Sequence, residues 1–129
     1  MKTRVYITKL FSFEAAHKLT HYEGDCKNLH GHSYKLRITV SGFINKDGLV
    51  IDFKKLKNIV NEQIIKTFDH KYLNDVLNLE DVTAENMVIL IWEKLEKFIE
   101  SNNQLGLEIR VENIRLYETE NSYAEVRRE

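Results

Sequence analysis

The chain has no proline and a single cysteine, Cys26, among its 129 residues. One cysteine cannot form an internal disulfide, so the expected setting is a reducing cytoplasm. No apolar run approaches the roughly 20 residues that span a bilayer, so no membrane partner is expected. Charge of one sign is also lacking: 19 Lys and Arg face 20 Asp and Glu, for a net charge of −1. That balance leaves no electrostatic footprint for nucleic acid. The opening Met1-Lys2-Thr3-Arg4-Val5 runs straight into strand-like sequence, without the pattern of a signal peptide. The missing proline carries no functional reading.

What is present fits a soluble globular protein, 43% hydrophobic and 30% charged. The length suits one domain over residues 1–129 with one core. Residues 4–13 alternate as a strand, with Val5, Ile7, Phe11 and Phe13 on one parity. Lys9 and Leu10 break the two parities, which predicts partial cover on both faces. Residues 18–29 hold Gly24, Asp25 and Asn28 and read as a loop that returns Cys26 toward His17. Residues 32–44 form the cleanest strand, with Tyr34, Leu36, Ile38 and Val40 inward. Asn45-Lys46-Asp47-Gly48 reads as a turn, and Leu49, Val50 and Ile51 as a short strand continuation.

Asp52 predicts the N-cap of a helix from about Phe53 to Phe68, and Thr83 that of a second from about Ala84 to Glu100. Leu107, Ile109 and Val111 then alternate, and the apolar parity switches at Glu112-Asn113, which predicts a bulge. Residues 122–127 form the last strand. The order is β-β-α-α-β-β. It predicts an α+β domain whose four-stranded antiparallel sheet is covered on one face by two helices. Unblocked sheet edges pair readily with further copies, so a homo-oligomer is expected.

The chemistry concentrates in Cys26-Lys27-Asn28-Leu29-His30-Gly31-His32, behind which lies His17. Side chains at i and i+2 of a strand share a face, so His30 and His32 can aim at one point. A lone His-x-His is more often an ordinary polar pair. The nearby thiol and a third imidazole at a strand end favour a metal site. His21 could replace His17 in that count. Three imidazoles leave a fourth position open on zinc, as catalytic sites do. Cys26 either fills that position or stands beside it as a base. His32 has the parity of Tyr34, so its ring begins on the apolar face and needs a partner there. Asp69-His70 follows the first helix. Neighbours along a chain often diverge, so their contact stays open.

In order along nearly the whole chain, the motifs resemble the 6-pyruvoyl- and 6-carboxy-tetrahydropterin synthase superfamily. They are Phe11-x-Phe13-x-Ala15-Ala16-His17, Cys26-x-x-x-His30-Gly31-His32-Ser33-Tyr34, Ile51-Asp52-Phe53, Asp69-His70, Thr83-Ala84-Glu85-Asn86 and Glu118. The resemblance implies the tunnelling fold, whose ββααββ subunits join into a β-barrel, with two trimers stacked into a hexamer. It implies Zn2+ held by His17, His30 and His32. It also implies Cys26 as proton acceptor, Asp69-His70 as a second proton-transfer unit serving a neighbouring subunit, and Glu118 as anchor of the pterin. Thr83 and Glu85, in the Thr-Ala-Glu run, are further substrate-binding candidates. Val82 stands where the family often has proline, and Asn28 where it often has arginine, which leaves Lys27 as the triphosphate candidate.

Three residues separate Cys26 from His30. This spacing is similar to that of the bacterial 6-carboxy-tetrahydropterin synthases of queuosine biosynthesis. The implied activity is a zinc-dependent lyase that converts 7,8-dihydroneopterin triphosphate to 6-carboxy-5,6,7,8-tetrahydropterin with loss of acetaldehyde and triphosphate. The competing readings are a 6-pyruvoyl-tetrahydropterin synthase and a zinc- and pterin-binding module without turnover.

Overall fold

A computed structural model describes residues 2–17, 30–77, 79, 81–102 and 104–129, with the side chain of His30 excepted. Its frame is an antiparallel sheet. Strand β1 (Val5–His17) pairs with β2 (His30–Phe43) in unbroken register, from Val5 opposite Gly42 to His17 opposite His30. Strand β4 (Leu107–Thr119) lies on the other side of β2, and β5 (Ser122–Arg127) pairs with β4. A two-residue strand β3 (Lys71–Tyr72) adds in parallel to the end of β1, giving the order β3-β1-β2-β4-β5.

The sequence pattern predicts four strands and the sheet has five. The fifth carries no pattern because two residues are too few to alternate; it exists only because β1 offers a free edge there. The first strand also outruns its predicted end at Phe13. Ala15 and His17 keep the inward parity of Phe13 and are buried with it. Leu49–Ile51 is a correction: these residues join no ladder. Asn45 Oδ1 accepts the amides of Asp47 and Leu49 to form the turn, and Asp52 already caps the next helix. Val50 and Ile51 are buried as a crossing segment, too short to pair.

Helix α1 (Phe53–Val60) starts where Asp52 Oδ1 accepts the Lys54 amide at 2.7 Å. It runs on through a π-helical turn (Asn61–Ile65) into the short α2 (Lys66–Phe68). Leu56, Val60, Ile64 and Phe68 are the buried face of this run, at the i, i+4 spacing of an amphipathic helix. A one-turn helix α3 (Leu73–Val76) precedes α4 (Ala84–Glu100), which Thr83 caps as predicted. Met87, Val88, Ile91, Leu95 and Ile99 of α4 join Tyr34, Leu36, Ile38, Ile114 and Leu116 of the sheet in one core. The bulge stands where the parity switches. Thr39 pairs with Asn113 but Val40 with Val111, so Glu112 is the extra residue. Among the described residues no helix is long and apolar enough to cross a membrane.

Candidate metal centre and active site

Three strands bring polar residues to one end of the helix-covered sheet face. His17 is the last residue of β1, and His32 pairs with Ala15 near the start of β2. Glu118 follows Leu116 by two residues on β4 and shares its inward parity. Their side chains converge on one oxygen. Glu118 Oε1 lies 3.2 Å from His17 Nε2 and 2.9 Å from His32 Nε2. The imidazoles meet edge to face, with centroids 4.9 Å apart. The side chain of His17 is 1% exposed, that of His32 17% and that of Glu118 25%.

His17 Nδ1 donates to the Val82 carbonyl at 2.5 Å. That bond fixes the ring and turns its other nitrogen toward Glu118, the outer-layer geometry common to metal-binding histidines. Burial acts most strongly on His17 and disfavours its charged form. The Glu118 carboxylate and the Val82 carbonyl oppose burial, and together they hold the imidazole pKa above its ordinary value. Tyr34, beneath the two rings, is fully buried. Burial first, and then the charge of Glu118, push its phenol well above the usual range. The donor atoms of His17, His32 and Glu118 all lie within 4.8 Å of one another and could hold a metal ion. Two imidazole nitrogens and one carboxylate oxygen suit a divalent transition metal.

Of the three predicted histidine ligands, the structure brings His17 and His32 together. His30 stands opposite His17 on the neighbouring strand, and its side chain is not described. Cys26, Lys27 and the alternative His21 lie outside the described residues. Glu118 is the residue whose surroundings the sequence reading missed, because that reading gave it only to the pterin. Its inward parity was legible: counted from Ile114 through Leu116 past the bulge, Glu118 falls on the histidine face.

Asp69 and His70 do touch. Asp69 Oδ2 lies 3.0 Å from His70 Nδ1. The main chain of Glu14 on β1 holds both residues. Its N–H donates to Asp69 Oδ1 at 2.9 Å, and its carbonyl accepts the His70 N–H at 2.5 Å. His70 has φ 57, a left-handed conformation that side chains other than glycine seldom adopt. These bonds to a rigid strand hold it there. The Glu14 amide first, and then His70, keep the Asp69 carboxyl below its ordinary pKa. His70 is 77% exposed. A cleft of about 520 Å³ is lined by Glu14, Gly31, His32, Ser33, His70 and neighbouring residues, so a metal-cluster histidine and the Asp69–His70 pair face one space. A second cleft, of about 400 Å³, places Glu118 beside Glu85 and Tyr123. Thr83 Oγ1 accepts the Asn86 amide at 3.0 Å, which occupies it as a helix cap.

Comparison with known proteins shows the family and the fold of the chain. The sequence pattern of the family described as 6-pyruvoyl tetrahydropterin synthase matches residues 6–129. A 6-carboxy-5,6,7,8-tetrahydropterin synthase of Haemophilus influenzae is 34% identical over 92% of this chain and 96% of its own. One of Synechocystis is 45% identical over 70% of this chain and 74% of its own. The solved structure of Caenorhabditis elegans 6-pyruvoyl tetrahydropterin synthase superposes with a TM-score of 0.80 at 27% identity, covering 98% of this chain and 97% of that one.

Proposed function

The chain belongs to the 6-pyruvoyl tetrahydropterin synthase family, and on that premise we propose that it is a zinc-dependent carbon–carbon lyase acting on 7,8-dihydroneopterin triphosphate. One water is consumed, and the products are 6-carboxy-5,6,7,8-tetrahydropterin, acetaldehyde and triphosphate, a step of queuosine biosynthesis. The observation that carries the reading is the convergence of His17, His32 and Glu118 beside a cleft that also holds His70. The names of the bacterial relatives and the short Cys26–His30 spacing favour the carboxy product.

His17 and His32, with His30, would hold the zinc. The fit rests on the donor set and on the Val82 carbonyl, which commits His17 Nδ1 and leaves Nε2 to face a metal. Bound zinc would supply Lewis acidity toward the substrate's side-chain hydroxyls. Cys26, as a thiolate, takes a side-chain proton. Asp69 orients and charge-stabilises His70, which moves the second proton. In a homo-oligomer this pair would serve a neighbouring subunit's Cys26. Glu118 accepts parallel hydrogen bonds from the pterin ring N–H and amino group. Glu85 lines the same cleft as Glu118 and is a second contact for the ring; Thr83 and Lys27 complete the substrate set. The closeness of Glu118 Oε1 to both imidazoles supports a ligand role as well. Zinc retained by Glu118→Gln with KM raised assigns the anchor, whereas zinc lost assigns the ligand.

The deciding experiment incubates zinc-loaded protein with 7,8-dihydroneopterin triphosphate and assays acetaldehyde and pterin products. Acetaldehyde with a carboxylated tetrahydropterin is the expected result. A pyruvoyl product without acetaldehyde would keep the site and overturn the branch, and the relative of that name in Dictyostelium discoideum, 34% identical, keeps that alternative in view. Pterin binding without turnover would reduce the protein to a binding module.

A further inference from the structure

The sheet face turned away from the helices carries a cationic arrangement to which none of the roles above is assigned. Arg37 on β2 stands directly opposite Arg115 on β4. Like charges in register across two strands destabilise the pair. Arg115 is fully engaged: it bonds Glu125 Oε2 and the Tyr117 hydroxyl, each at 3.1 Å, and stacks 4.1 Å over Tyr123. Glu125 also faces Arg127 at 3.4 Å, so its charge is already shared. Arg37, part-buried, has no ion pair or side-chain hydrogen bond among the described residues. Lys35, two residues back on the same face, also has none. Both line a cleft of about 370 Å³ with Leu10, Tyr117 and Glu120, and Glu120 pairs with neither cation.

We propose that Lys35 and Arg37 form a binding site for an oligophosphate on this helix-free sheet face. Their side chains rise from positions about 7 Å apart on one pleat, a span that linked phosphates can bridge. The guanidinium fork matches phosphate oxygens in pairs, and Lys35 adds a point charge. A bound polyanion also removes the repulsion between Arg37 and Arg115.

The test titrates zinc-loaded full-length protein with sodium triphosphate by calorimetry, in wild type and in Arg37→Gln. Wild type should bind, and the variant should bind about 10-fold more weakly or worse, with unchanged zinc content. Without anion, Arg37→Gln should melt at or above the wild-type temperature, since it relieves a like-charge pair. Triphosphate should raise the melting temperature of wild type alone. Equal affinity in both proteins, or no binding by wild type, would overturn the site. So would a variant that melts lower and loses subunit association, because Arg37 would then pair with a carboxylate of a second copy. If the substrate reading holds, KM in the same variant separates the sources: a KM raised about 10-fold assigns the substrate's own triphosphate, and an unchanged KM a free oligophosphate.

Discussion

The candidate metal ligands, through His32, and the Asp69–His70 pair, through His70, face one cleft but are made by different physics. His17, His32 and Glu118 stand on the long register of β1, β2 and β4, and their positions follow from ladder hydrogen bonds and inward parity. His17 is almost wholly buried, so its polarity must be answered inside the protein, and Val82 and Glu118 answer it. Asp69 and His70 lie at the end of α2, on a corner with a left-handed residue, and His70 is largely open to solvent. Their geometry depends on two bonds to the main chain of Glu14. The candidate metal ligands are thus placed by the sheet, whereas the Asp69–His70 pair is hung from its edge, open to solvent.

The largest effect that would break this comparison is at the buried centre. His32→Ala should lose its zinc and take turnover to background, while the amide signals of Asp69 and His70 stay in place by NMR. Coupled movement of the pair would mean the two units are not independent. Next in size, His70→Ala should lower kcat by about 10²–10⁴-fold with zinc retained, the range for a positioned acid or base. Metal analysis alongside steady-state kinetics checks both halves. Cys26→Ala should lose at least about 100-fold in activity and also keep its zinc; loss of the metal would make Cys26 a ligand.

Asp69→Asn should cost less than His70→Ala, since the amide can still accept from the Glu14 N–H. The pH dependence sharpens this. Asp69 is held below the ordinary carboxylate pKa, first by the Glu14 amide. Its ionised, bonded form is therefore complete above that ordinary value and is lost only as pH falls through the lowered one. A carboxyl-carbon NMR titration should place the Asp69 midpoint below the ordinary aspartate value. An unshifted midpoint would detach Asp69 from β1 in solution.

The smallest effect concerns Thr83, which caps α4 next to the Val82 carbonyl that holds His17. Thr83→Ala should cost about 1 kcal/mol, read as a melting temperature lower by roughly 3–6 °C. A rise in KM beyond what that loss explains would support the proposed part of Thr83 in substrate binding, and an unchanged KM would leave it a cap alone.

Legibility in the sequence follows the same division. The inward parity of Phe13, Tyr34, Leu36, Ile114 and Leu116 was written in the alternation, as was the bulge at Glu112. The caps at Asp52 and Thr83 could be read because a cap is a contact between residues two or three apart. The two-residue β3, the crossing segment Leu49–Ile51 and the π turn at Asn61–Ile65 left no periodic trace. They arise from where a neighbouring strand ends or how a helix meets the core. At the site, His32 was legible as an inward residue and His17 as an imidazole just behind the first strand, whereas the Glu118 contact joins positions about 100 residues from His17 in the chain.

By itself, then, the sequence determined which residues alternate, cap and turn, and which side chains could do chemistry, because these are properties of near neighbours on a chain of fixed geometry. Only the tertiary structure decided that Glu118 reaches both imidazoles, that Glu14 holds Asp69 and His70, and that Arg37 confronts Arg115. Each of those is a meeting of strands or corners distant in sequence. Register and burial set such meetings, and neither is fixed until the sheet has closed on its core.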